Sequence, residues 1–411
     1  MKKAKFILLA LVGLFTFFFS NDFGLIDVEK TSIITAIAID KEEDNYLVTA
    51  QIAVPEATDT NTENQKAEIS AKGKTIGEAL KNTGDVSGWF PKLAFCNLIV
   101  LGESLKDTNV ISVLDYFAKT LRVQDSATVV LADGKAQELL SNATPLDNIS
   151  SFAIQKILLK TPGFDKEVCP IDIKTFCSNH YSPAGSSYMP VVKLIKADAS
   201  QGGSGSSDGQ SSGSSGASGK QTGSSSGENQ SAGNTTKNEN LFDARTTALF
   251  KNGKKVGELS PELTFVFNAL QGPIVDSTIA VNDVQYQDKN CNFLLVVQRS
   301  TSTINLKPQG EKIALDISAK LYCKISDVNS DDTEFTLSQN LPLPYQVVSK
   351  TKDMLTNRIY SLVDTCVKSD CDLLKIKQKL YRHHNEQYSN YKDDYLSKLI
   401  VNVNVEIIGQ K

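Results

Sequence analysis

The groups in this 411-residue chain best able to do chemistry are three histidines, seven cysteines and a scatter of carboxylates, and their spacing assembles no familiar site. His180 stands alone while His383 and His384 are adjacent; a helical HExxH metal site instead puts two imidazoles one turn apart on one face. Their plain reading is as solvent-facing or hydrogen-bonded side chains, with a metal or proton-transfer role as the alternative. GxGxxG, Walker A and CxxC patterns do not occur. GxSxG is met by the GSSSG run from Gly223 to Gly227, but a nucleophile elbow needs a rigid strand-to-helix turn, which a Gly/Ser coil cannot supply. Asp40, Asp115 and Asp133 could meet after folding, although carboxylates at strand ends and turns ordinarily cap helices or face water. Asn234-Thr235-Thr236 fits a glycosylation acceptor only where that machinery exists. These residues predict no catalytic, cofactor-binding or metal site, no cofactor, and a chain that is not an enzyme. What remains is interaction chemistry: Tyr381, Tyr388, Tyr391 and Tyr395 each pair apolar area with a hydroxyl, which suits a partner surface or local packing.

The seven cysteines are Cys96, Cys169, Cys177, Cys291, Cys323, Cys366 and Cys371. Their odd number leaves one thiol unpaired in a monomer. Cys169/Cys177 and Cys366/Cys371 are the candidate disulfides if the chain is exported, and buried free thiols are the alternative.

Export is what the N-terminus suggests. Lys2, Lys3 and Lys5 precede the apolar run FILLALVGLFTFFF from Phe6 to Phe19, the pattern of a secretory signal or a short anchor with its lysines on the cytoplasmic side. As a helix the run covers about 21 Å against a hydrocarbon core of roughly 30 Å, so an anchor would need help from Phe23, Leu25 and Ile26. No small-x-small cleavage signal follows, and cleavage and retention both stay open. The balance of 40% hydrophobic and 22% charged residues, with a formal net charge of -4, allows sizeable cores and gives no attraction to nucleic acid.

The length predicts two domains. Residues 1–26 read as signal or membrane anchor, 27–198 as an N-terminal domain, 199–240 as a disordered Gly/Ser linker and 241–411 as a C-terminal domain. The linker lacks the apolar side chains needed to offset ordering entropy, and its span as a coil is roughly 35 Å. In the first domain IITAIAID and YLVTAQIAV form a hairpin, Thr75 and Glu78 a capping box, and Leu93–Leu101, ATVVLAD and Ser187–Ala197 strands. Val110–Leu121, Lys135–Leu140 and Ile149–Leu159 read as helices. In the second, Asn252-Gly253 turns a hairpin, Cys291–Gln298 and Lys312–Ile325 alternate as strands, Val347–Val367 and Cys371–Tyr381 are amphipathic, and LIVNVNVEIIGQ is a strand. The fold class is α+β: two mixed helix and sheet domains joined by the flexible Gly/Ser-rich linker, the C-terminal one an antiparallel sheet packed by helices.

Four blocks then resemble the Ger(x)C family, the C subunit of bacterial spore germinant receptors: IITAIAIDKEEDNYLVTAQIAVP from Ile33, FCNLIVLGESLKDTNVISVLDYF from Phe95, TTALFKNGKKVGELSPE from Thr246, and DLLKIKQKLYRHHNEQY from Asp372 with the VNVNVEIIG strand after it. The resemblance implies a noncatalytic, membrane-associated subunit on the outer face of the cytoplasmic membrane or spore inner membrane. Its implied partners are membrane-embedded germinant receptor subunits, and its implied role is receptor assembly or germinant signal transmission. An extracytoplasmic small-molecule or cell-wall-polymer binding protein is the alternative. Such proteins usually carry a lipid-accepting cysteine after the signal, near a Trp-Asp pair; Asp22 and Phe23 stand about there, so lipidation does not carry over.

Overall fold

The computed structural model describes residues 31–53, 66–120, 123–159, 167–196, 240–330 and 342–409. The N-terminal segment, the polar loop at Glu56–Gln65, the Pro162-Gly163 helix stop and all but the last residue of the Gly/Ser stretch lie outside them.

A nine-stranded sheet organises the first body. In chain order its elements are β1 (Thr31–Glu42), β2 (Asn45–Ala53), β3 (Lys66–Gly73), α1 (Ile76–Ser87), β4 (Phe90–Lys92), β5 (Leu98–Leu101), α2 (Ile111–Thr120), β6 (Thr128–Ala132), α3 (Ala136–Ser141), α4 (Ser150–Leu158), α5 (Ile173–His180), β7 (Ser186–Lys196), β8 (Asn240–Lys251) and β9 (Lys254–Leu259). The strands lie in the order β3-β2-β1-β5-β6-β7-β8-β9, with β4 beside the start of β1. Strands β1, β5, β6 and β7 run parallel, and the rest of that path is antiparallel. Covered on both faces, the central strands carry consecutive buried apolar side chains, at residues 36–39, 98–101 and 129–132. Ile37, Ile39, Ile99, Leu101, Val129 and Leu131 enter one core, with α1, α2 and α5 above it. Their neighbours Ala36, Ala38, Leu98, Val100, Val130 and Ala132 face α3 and α4 on the other side.

The expected helix starts and hairpins are where local chemistry demands them. The Thr75 side chain accepts from Glu78 N, while the Glu78 carboxylate accepts from Lys74 N at 2.8 Å. Asn252 and Gly253 both take positive φ, 50° and 79°, as the tight turn between β8 and β9 requires. The expected strand Leu93–Leu101 is shorter: Leu93–Phe95 is a single 3-10 turn, and the strand is β5 alone.

The second body comprises α6 (Pro261–Gln271), β10 (Ser277–Tyr286), β11 (Lys289–Gln309), β12 (Lys312–Ser330), α7 (Tyr345–Lys368), α8 (Ile376–His383), α9 (Asn385–Tyr388) and β13 (Leu399–Gly409). Strands β10, β11 and β12 form an antiparallel meander, and α6 and α7 pack on its apolar face. The sheet is not antiparallel throughout. β13 pairs with β12 in parallel from Ile313↔Leu399 to Cys323↔Gly409, because the chain crosses back over the sheet through α7 to α9 before entering it.

Two mixed helix and sheet domains are present, as expected, and the strands that flank the Gly/Ser stretch are paired. β8 follows the Gly/Ser stretch but pairs with β7, from Lys196↔Asn240 to Ser186↔Lys251. Residues 240–259, as β8 and β9, thus extend the first sheet. The second body then packs against those strands: Leu249 and Leu259 belong to its core, and Thr264 Oγ1 lies 3.1 Å from Thr247 Oγ1.

Since about forty residues separate positions that face each other across a ladder, a short connection can replace them. Exchanging residues 199–238 for a short Gly-containing turn is expected to leave a cooperative fold and to raise stability by up to about 2 kcal/mol, through the smaller closure entropy. Denaturant midpoints of the two proteins check this; loss of cooperative unfolding contradicts it.

Candidate functional site

The carboxylates that could have formed a catalytic set are each committed elsewhere. Asp40, at the end of β1, is buried and accepts from Ala136 N and Gln137 N at 2.9 Å each, capping the start of α3. Burial pushes its pKa up, against the pull of those two N–H groups. Asp115 pairs with Lys119 at 2.7 Å and accepts from the Tyr181 hydroxyl at 3.2 Å. Asp133 is an exposed partner of Lys193 at 3.5 Å.

The histidines are separate too. His180 lies edge-on to Tyr181, with burial lowering its pKa. A ring nitrogen of His384 is 3.1 Å from the Leu306 carbonyl, whereas His383 is exposed. Among the described residues no three His, Cys, Asp or Glu side chains come together as a metal site. None of the seven cysteines is in a disulfide, so neither candidate pair is bonded; Cys371 N donates to Cys366 O, but the thiols are unlinked. Burial pushes the Cys96 and Cys371 thiols up to about 12, leaving them as inert core groups. Tyr391 and Tyr395 are core residues, while Tyr381 is exposed and meets Tyr388 edge to face.

Two features that the sequence did not single out stand out instead. The first is an open groove of about 490 Å³ between α1, β4 and α2. Trp89, Phe90, Tyr116 and Leu80 supply its apolar walls, with Lys81 and Asp85 as polar groups. Glycines on α1 shape it. A Cβ at Gly77 would come within 3.0 Å of the Tyr116 ring. Gly88 closes α1 at φ 72°, donating to Gly84 O, and so turns Trp89 and Phe90 outward.

The second feature is a polar junction where the bodies meet. Asp372 accepts from Ile376 N and Lys377 N at 2.9 and 2.8 Å, and its own N–H donates to Ser186 Oγ at 2.9 Å. Cys371 Sγ lies 3.4 Å from Phe250 O, and Asn268 donates to Val168 O across the same junction. Burial raises the Asp372 pKa; the two backbone N–H groups, the Tyr395 hydroxyl and Lys251 pull the other way. The arrangement joins and orients, and it presents no exposed nucleophile or acid and base pair.

Both bodies resemble known proteins in sequence. The family model described as "Spore germination protein N-terminal domain" matches residues 25–194, and that described as "Spore germination B3/ GerAC like, C-terminal" matches 245–408. The models part on either side of the Gly/Ser stretch. Spore germination protein B3 of Bacillus subtilis (strain 168) is 29% identical over 187 residues, 44% of this chain and 49% of that protein, so the match spans about half of the relative's length. A solved structure titled "Crystal Structure of the GerBC protein" aligns over 94% of this chain and 100% of its own at 16% identity, with a TM-score of 0.46.

Asp372→Ala would leave two buried N–H groups without an acceptor and is expected to cost about 2–4 kcal/mol. Because burial holds the folded pKa of Asp372 above the unfolded one, its contribution is fullest below the ordinary carboxylate pKa and declines as pH rises through the folded value. The stability gap between wild type and variant should therefore narrow from acid toward neutral pH, as urea unfolding at several pH values will register.

Proposed function

Because this chain belongs to the GerAC-type family of spore germination proteins, a noncatalytic family associated with the germinant receptor, we propose that it is a membrane-attached receptor subunit that supports assembly or passes germinant state between subunits. The observation that carries this reading is the shared core: β8 is laid into the first sheet and packed by the second body, which gives the two bodies a contiguous packed connection of the kind that transmission needs. A joined pair of this kind suits transmission and presentation of a surface.

Attachment is assigned to the apolar run Phe6–Phe19, which would hold the chain on the outer face of the cytoplasmic membrane or spore inner membrane. Among the described residues no helix is long and apolar enough to cross a membrane. Confinement to the membrane plane raises the effective concentration of membrane-embedded receptor subunits, the proposed partners. One observation favours a second reading, a small-molecule or wall-polymer binder: the groove beside Trp89 has the volume and mixed lining of such sites.

Affinity capture after mild detergent extraction of spore membranes is expected to recover membrane-embedded receptor subunits with this chain. Recovery solely as a soluble, partner-free protein would sink the proposal. A saturable shift of the Trp89 emission with a small molecule or wall fragment would move the balance to the second reading.

A further inference from the structure

Among the described residues the densest run of exposed apolar side chains in the sequence lies in one short stretch. Val86 is 75% exposed, Trp89 48%, Phe90 46% and Phe95 54%, all within ten residues of sequence. Other exposed apolar residues, such as Leu146, Leu159 and Tyr345, are dispersed along the chain. Isolated exposed apolar residues are ordinary, whereas a run of aromatics kept in water needs a partner. Its conformation is fixed by the fold: the left-handed Gly88 ends α1, and β4 is hydrogen-bonded to β1.

Where the run sits says what the partner is. β4 pairs in parallel with the first residues of β1, Thr31↔Phe90, Ser32↔Pro91 and Ile33↔Lys92, and Ile33 is itself exposed. The aromatics therefore lie beside the point at which the chain comes in from its apolar N-terminal run. Thr31 is five residues from Ile26 and twelve from Phe19, reaches of at most about 18 and 42 Å. Of the described surface, this end of the sheet is the part that follows the run most directly along the chain. Trp and Phe with an exposed lysine, here Lys92, are the side chains that settle at the boundary between headgroups and acyl chains.

We infer that the Val86–Phe95 stretch is a membrane-docking surface: Trp89, Phe90 and Phe95 enter the lipid interface and fix the orientation of the first sheet relative to the bilayer. The inference rests on the reading that the apolar run enters that bilayer. It adds a second contact, so the body is held upright with the start of β1 toward the lipid.

The chain carries its own probe, because Trp89 is its single tryptophan. The full chain is reconstituted into vesicles of phosphatidylglycerol and phosphatidylethanolamine, with and without lipid brominated near the headgroup end of its acyl chains. Flotation reports attachment, and Trp89 emission reports docking. The expected result is a blue-shifted emission, roughly halved by the brominated lipid and largely restored in the Phe90→Ser/Phe95→Ser variant, which still floats. Vesicles that float with protein whose Trp89 emission is water-like and indifferent to bromine would overturn the docking surface and leave attachment intact, as would quenching unchanged in the variant. Failure to float would overturn both. Since both substituted side chains are exposed, an unchanged thermal midpoint checks that the variant is folded.

Discussion

Strand β8 is the element on which the three hydrophobic cores depend. Phe242 and Ala244 contribute to the core under α3 and α4, Ala248 and Phe250 to the one under α1, α2 and α5, and Leu249 to the core of the second body. A strand can do this because successive side chains point to opposite faces and an irregularity in its ladder, where Val191↔Thr246 gives way to Lys193↔Asp243, shifts the alternation, so that Phe242 and Ala244 face the side opposite Ala248 and Phe250. Its antiparallel ladder to β7 therefore does more than close a sheet edge. It sets the register of residues that three sets of helices pack upon, and a one-residue slip would turn each of them to the wrong face.

That constraint was the least legible in the sequence. Hairpins, caps and amphipathic helices could be read because their causes are local: Asn252-Gly253 supplies the turn, Thr75 and Glu78 the cap, and the α7 periodicity its apolar face. Which strand β8 joins is decided by partners about forty residues away in sequence, and a change in composition looks the same whether it separates domains or interrupts one sheet. The parallel pairing of β13 was hidden for a related reason: alternation gives the faces of a strand and says nothing of the direction of its neighbour. Helix α6 was missed despite its Ser260 cap and Pro261 start, since Thr264, Phe265, Val266, Phe267, Ala269 and Leu270 are all buried and leave no amphipathic stripe.

The candidate sites were legible to different depths. Asp40 drew notice as a carboxylate that might do chemistry, and its burial against two backbone N–H groups gives it a structural task. Asp372 and Cys371 sit in an amphipathic stretch whose sequence carries no sign of a junction, because their partners Ser186, Ser187 and Phe250 are remote. The groove had a local sign in retrospect. Gly77 weakens a helix that is otherwise well capped, and close approach of the Tyr116 ring is what the missing side chain permits.

Strand direction links these features to one another. β1, β5, β6 and β7 all run the same way, so the start of β1, with Phe90 beside it, marks one end of the sheet, and the finish of β7 at Lys196 marks the other. The chain enters from its apolar run at the first end and departs into the Gly/Ser stretch at the second. If the first end faces a bilayer, β7 ends on the side turned away from it, whereas the Asp372 junction lies near the start of β7. The position of a long polar insertion thus follows from the same parallel arrangement that buries the central strands on both faces.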